Sequence, residues 1–132
     1  MIRVWDGKIP VSTPKQYEAN LETLIAKAKK FTTSDKLLFV GLQPCDESRT
    51  TPCSWRDTSY LNERLRLFDA ALRQTCRKHD IAFVPIYDEF EKRQIEQDVL
   101  IDGLHPDTAG HQLIHDLVAP KLQEVLRANN RI

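Results

Sequence analysis

The chain has 132 residues, enough for one domain of ordinary size and too few for two, so residues 1–132 are read as a single core. Hydrophobic residues make up 41% and charged residues 29%, the balance of a soluble globular chain and not of a disordered one. Nineteen Lys plus Arg cancel nineteen Asp plus Glu, which leaves no net field to draw in nucleic acid or an anionic membrane surface. The densest basic cluster, Lys27, Lys29 and Lys30, falls at the end of a predicted helix, where cations offset the helix dipole. No apolar run approaches the roughly 20 residues that span a bilayer, and the opening Met-Ile-Arg-Val-Trp-Asp-Gly lacks the apolar stretch of a secretory signal. The chain as given reads as cytoplasmic, unless a lost N-terminus carried a signal. Cys45, Cys53 and Cys76 are an odd number without CxxC or a metal-ligand spacing. Free thiols are expected over a Cys45–Cys53 disulfide, and no zinc site is.

In chain order, Ser12-Thr13-Pro14-Lys15-Gln16 starts a helix: a hydroxyl residue can cap the free amides and Pro14 suits the first turn. Tyr17, Leu21, Leu24, Ile25 and Ala28 recur at helical spacing up to about Phe31. Lys36 to Leu42 is an apolar run too short for a helix, the pattern of a strand covered on both faces. Gln43 to Trp55, with two prolines and two cysteines, reads as a loop of about 13 residues, long enough to suggest a functional role. Helical spacing returns over Arg56 to His79, and Ile81 to Ile86 is a second buried strand with Pro85 near its end. A short helical stretch is expected around Phe90 to Gln97. The last helix is expected to start near Asp107 or Thr108 and to kink or break at Pro120. Helix, strand, helix, strand, helix is the order of an α/β protein. Two parallel strands alone make a marginal sheet, so the pattern looks like part of a larger one.

The segment Ile101-Asp102-Gly103-Leu104-His105-Pro106 carries the most chemical information. A carboxylate three residues before an imidazole, with Gly103 permitting a tight turn, can set Asp102 against a ring nitrogen of His105. That contact would fix the tautomer and stabilise the imidazolium formed when the other nitrogen takes a proton. A capping turn, with Asp102 bonding backbone amides and His105 merely preceding Pro106, explains the same spacing.

The string Asp102-Gly103-Leu104-His105-Pro106, followed by Gly110-His111 and an amphipathic helix, resembles the last conserved block of the SGNH hydrolases, the GDSL lipase and esterase family. The flanking parts are similar in order. Phe39-Val40-Gly41-Leu42-Gln43-Pro44 resembles that family's fourth strand, Tyr60 to Leu72 its following helix, Ile81 to Tyr87 its fifth strand, and Tyr17 to Ile25 the helix after its third strand. The resemblance covers nearly the whole chain and implies the C-terminal part of a three-layer α/β/α, flavodoxin-like sandwich with two secure parallel strands and three main helices. It implies a serine ester hydrolase in which His105 is general base and then acid and Asp102 orients it, with no metal or organic cofactor and a small ester as substrate.

The family draws its nucleophile from Gly-Asp-Ser after its first strand and its oxyanion donors from that serine's amide and a Gly-x-Asn-Asp block after its third. Neither block occurs here. Ser12, Ser34, Ser48, Ser54 and Ser59 do not follow a buried strand at a sharp Gly-containing turn. Ser48 or Ser54 could approach the site, but nothing visibly activates either. The expectation is a partial SGNH domain that begins just after the Gly-x-Asn-Asp block, Met1 to Val11 being the loop behind it, and that alone does not hydrolyse esters. The alternative is a non-catalytic half-domain that pairs its open sheet edge with a partner chain or a second copy. His111 and His115, four apart on a helix, read as surface histidines, there being no HExxH pattern. Asp88, Glu89 and Glu91 read as a solvated turn. Trp5 and Trp55 could line a pocket or anchor loops.

Overall fold

A computed structural model describes residues 4–5, 9–10 and 12–130, with side chains from residue 12 onward. Two short strands, β1 (Val4–Trp5) and β2 (Ile9–Pro10), pair antiparallel inside the stretch expected to be a plain loop. The Trp5 side chain lies outside the described residues.

Helix α1 (Pro14–Ala28) starts where the hydroxyl signal places it, with Thr13 as the cap. Thr13 Oγ1 accepts from the Gln16 amide at 3.2 Å, and Gln16 Oε1 accepts from the Thr13 amide at 2.9 Å. The basic cluster begins in the last turn with Lys27 and runs on past it. A 3₁₀ turn (Ser34–Lys36) then leads into β3 (Leu38–Val40).

The long segment after β3 is not all loop. It holds a one-turn helix, α2 (Glu47–Thr50), whose first amide turn is capped by Asp46. Four residues show no apolar periodicity, so only the cap betrays it. Helix α3 (Asn62–Lys78) begins six residues later than the expected Arg56. Thr58, Ser59 and Tyr60 are buried in a turn instead, with the Tyr60 carbonyl accepting from Thr50 Oγ1 at 3.0 Å. Leu61 has no side-chain oxygen to cap α3, and the Glu47 carboxylate takes the Asn62 amide at 2.6 Å in its place. A cap from 15 residues upstream has no local signature.

Strand β4 (Ala82–Val84) runs parallel to β3 in the register Leu38↔Ala82, Phe39↔Phe83, Val40↔Val84. Alternation along the strands sends Phe39 and Phe83 to one face, where they pack with Leu21 and Ile25 of α1 and with Leu72 and Cys76 of α3. The other face meets the last helix, α5 (Thr108–Ala128). This is an α/β/α arrangement in which β3 and β4 are the parallel pair. Among the described residues no further strand pairs with either.

Helix α4 (Tyr87–Glu96) is longer than expected and buries Tyr87 and Phe90. Helix α5 runs unbroken through Pro120, which removes the expected break. Both Pro120 and Asp116, whose carbonyl loses its partner, are exposed, so water can satisfy that carbonyl. No helix among the described residues is long and apolar enough to cross a membrane.

The Glu47 cap gives a direct check. Glu47→Ala is expected to destabilise the chain by about 0.5–2 kcal/mol, the worth of a helix cap, with Glu47→Gln losing less. Urea midpoints of the two variants measure it, and equal midpoints for wild type and Glu47→Ala would contradict the capping role.

Candidate active site

Asp102 and His105 sit on the segment between α4 and α5, and apolar anchors fix it on both sides. Val99 and Leu100 are buried in a cluster with Phe90 of α4 and with Ala109, Leu113 and Ile114 of α5. Leu104, beyond Asp102, packs instead against the cluster of Cys45, Cys53, Tyr60, Leu65 and Tyr87. Burying Val99 and Leu100 stabilises by roughly 1.5–3 kcal/mol each. The backbone closes between these anchors: the Ile101 amide donates to the His105 carbonyl at 2.8 Å, and the Asp107 amide to the Val99 carbonyl at 2.9 Å. Gly103 turns the chain at φ +87°, the left-handed region that glycine enters without steric cost.

Asp102 is the hub of this turn. Its Oδ1 accepts from the Leu104 amide at 3.0 Å and from the His105 amide at 2.8 Å. Its Oδ2 lies 2.7 Å from His105 Nδ1. The two readings of the spacing are thus both realised: one oxygen makes the capping turn and the other faces the ring. Partial burial pushes the Asp102 carboxyl up, but the His105 amide, the imidazole and the Leu104 amide together outweigh it and hold the group below its ordinary value. With Nδ1 committed to Asp102, Nε2 is left for chemistry. The His105 side chain is 61% exposed.

The segment after β3 forms the opposite wall. The Asp46 amide donates to the Gly103 carbonyl at 2.8 Å, and Gln43 Nε2 to the Leu104 carbonyl at 2.8 Å. Arg49 spans the gap: Nε meets Asp46 Oδ2 at 2.7 Å, one terminal nitrogen meets Asp98 Oδ1 at 2.8 Å, and the other reaches the Leu100 carbonyl at 3.3 Å. The fit leaves no room at Gly103, where a Cβ would stand 2.7 Å from Arg49 Cβ. Sequence reading missed Gln43, Asp46 and Arg49; the unusual length of their segment was the one sign of them. Trp55, for which pocket wall and loop anchor were both open, lies against His105 with ring centroids 5.6 Å apart and stacks on Tyr60 at 6.5 Å.

The other candidates make contacts of their own. Ser48 Oγ donates to Asp46 Oδ1 at 2.6 Å. His111 and His115 are exposed on α5, and His115 pairs with Asp116 at 3.1 Å. Asp88, Glu89 and Glu91 stand on α4 and not on the expected turn; Asp88 and Glu91 pair with Arg66, and Glu89 with Lys92. Cys45, Cys53 and Cys76 are buried free thiols. A cleft of about 310 Å³ beyond β4 is lined by Arg66, Asp69, Arg73 and Tyr87, and neither Asp102 nor His105 borders it.

The model of the GDSL-like lipase/acylhydrolase family matches residues 6–113, most of the chain, and the protein belongs to that family. Among solved structures it is similar to the esterase domain of the ZfL2-1 ORF1 protein from the zebrafish ZfL2-1 retrotransposon. The TM-score is 0.64 at 20% identity, over 86% of this chain and 65% of that one, a likeness of fold. The chain thus spans 65% of the length of that esterase domain. No curated protein matches the chain.

The electrostatics of the turn make a test by titration. In 13C-detected NMR the Asp102 carboxyl should titrate below the ordinary aspartate value of about 3.9, and His105→Ala, which removes one favourable partner, should raise that midpoint. Because the folded value is the lower one, this contribution to stability is present above about pH 4 and is lost as pH falls through the folded midpoint. An Asp102 midpoint unmoved by His105→Ala would contradict the contact.

Proposed function

We propose that this chain supplies the histidine base and its orienting carboxylate to a serine ester hydrolase centre. The nucleophile and oxyanion donors come from Gly-Asp-Ser and Gly-x-Asn-Asp segments that its 132 residues do not contain. One observation carries the reading: Asp102 Oδ2 stands 2.7 Å from His105 Nδ1, on a turn whose Leu104 and His105 amides hold the other carboxylate oxygen. In the completed centre a serine hydroxyl attacks the ester carbonyl while His105 Nε2 takes its proton. Asp102 keeps the proton on Nδ1 and stabilises the imidazolium. His105 then protonates the departing alkoxide, and a water, deprotonated by the same nitrogen, releases the acid. No metal or organic cofactor enters these steps.

Segments of that kind would find open surfaces here. The edge of β3 away from β4 has no strand beside it among the described residues. The apolar face of α5 is only half-covered: Leu113, Ile114, Leu117, Val118, Val125 and Leu126 are all partly exposed, and Leu122 is 43% exposed. Open edges and apolar faces of this kind favour pairing with strands from elsewhere. The same observation supports the second reading, a half-domain that works by pairing with a partner chain or a second copy and performs no chemistry.

Two measurements test the proposal. The purified chain is expected to give no turnover of a short-chain nitrophenyl ester above the buffer rate; turnover abolished by His105→Ala would show a nucleophile within the chain itself. In size-exclusion chromatography with light scattering the chain is expected to run as oligomers or to be poorly soluble. A monodisperse monomer with cooperative unfolding at an ordinary mesophile temperature would count against the open-edge account.

A further inference from the structure

Trp55 stands in contact with the proposed base yet takes no part in holding it. Its ring centroid is 5.6 Å from that of His105, at an interplanar angle of 51°, and 41% of the residue is exposed. Large apolar side chains left open to solvent beside a reacting group are candidates for substrate contact. Ile101, 70% exposed, stands at the other end of the same turn. The indole has a second aromatic neighbour. It stacks on Tyr60 at 6.5 Å and 28°, and Tyr60 is itself buried, with its amide bonded to the Thr50 carbonyl at 3.0 Å. The Trp55 turn is tied in turn by the Cys53 amide, which donates to the Thr58 carbonyl at 2.8 Å. Through α2, Asp46 and Arg49, the segment that carries the indole is bolted to the segment that carries the imidazole. The segments that carry the two rings are thereby joined.

Ester chemistry decides which part of a substrate meets this ring. The oxygen that receives a proton from Nε2 is the oxygen of the departing alcohol, and it must lie within about 3 Å of that nitrogen. The substituent on that oxygen is the part of the substrate closest to the imidazole, the ring against which the indole stands. An aromatic face pairs best with a planar apolar group, offset-stacked or edge-to-face. We infer that Trp55 is the specificity-determining wall for the alcohol portion of the ester, and that it selects esters of aromatic or similarly planar apolar alcohols. This rests on the assignment of His105 as the base, which orders the substrate at the site.

The test uses the whole chain and needs no turnover. The protein is labelled with 5-fluorotryptophan, its two 19F resonances are assigned with Trp5→Phe, and 2-naphthol or glycerol is titrated in as the free alcohol. The Trp55 resonance should shift saturably with 2-naphthol while the Trp5 resonance and the glycerol titration show nothing. By saturation-transfer NMR, Trp55→Ala should weaken 2-naphthol binding by up to about tenfold, a loss of up to about 1.4 kcal/mol for one aromatic contact, and Trp55→Phe should retain most of it. If Trp55→Ala fails to fold, the 19F titration of the unmutated chain decides alone. No saturable shift at Trp55, equal binding by Trp55→Ala, or an equal response to glycerol overturns the inference. Failure of the base assignment reads out separately, as an Asp102 titration insensitive to His105→Ala with naphthol binding intact.

Discussion

A carboxylate accepts hydrogen bonds at two oxygens, and in this protein the division between them sets the geometry of the site. Oδ1 of Asp102 takes the amides of Leu104 and His105, which fixes the carboxylate to its own turn. Oδ2 is thereby aimed at His105 Nδ1. The backbone bonds thus pre-organise the side-chain bond: the imidazole meets a group already immobile and already held in its charged form. The left-handed Gly103 is what lets two successive amides converge on one oxygen.

The turn is short, and its rigidity is borrowed. Val99 and Leu100 anchor one limb in the α4–α5 core, and Leu104 anchors the other beneath the segment after β3. Arg49 joins the two sides, and its partner Asp98 also accepts from the Leu100 amide and from Gln94 at the end of α4. Placed at the outer end of a parallel pair of strands, such a loop is where α/β proteins put their ligands. The fold expresses the family membership in physical terms, while the Gly-Asp-Ser and Gly-x-Asn-Asp strings that do not occur in its sequence make the chain's own activity a separate question from its family's.

Much of this was legible in the sequence, for reasons that differ by residue. The strands around Phe39 and Phe83 are unbroken apolar runs, and α1, α3 and α5 carry long apolar stripes, so periodicity alone locates them. Asp102 and His105 are three residues apart, and a contact that local follows from turn geometry. What escaped reading depends on long-range partners. Glu47 capping Asn62, Arg49 reaching Asp98, and Gln43 reaching Leu104 link residues 15, 49 and 61 positions apart. The unbroken course of α5 through Pro120 is a solvation effect, decided by which side of the helix faces water. Trp55 became informative only once the structure set it beside His105.

The central claim is that Asp102 holds His105 in the tautomer that leaves Nε2 free to take a proton. The most direct measurement is long-range 1H–15N correlation NMR of the chain with 15N-labelled histidine, at a pH where the ring is neutral. The account predicts that His105 carries its proton on Nδ1, seen as a low-field resonance, and that Asp102→Asn removes this resonance and shifts the ring toward the Nε2–H tautomer. A His105 ring protonated at Nε2 in the unmutated chain, or a tautomer that Asp102→Asn leaves unchanged, would contradict it.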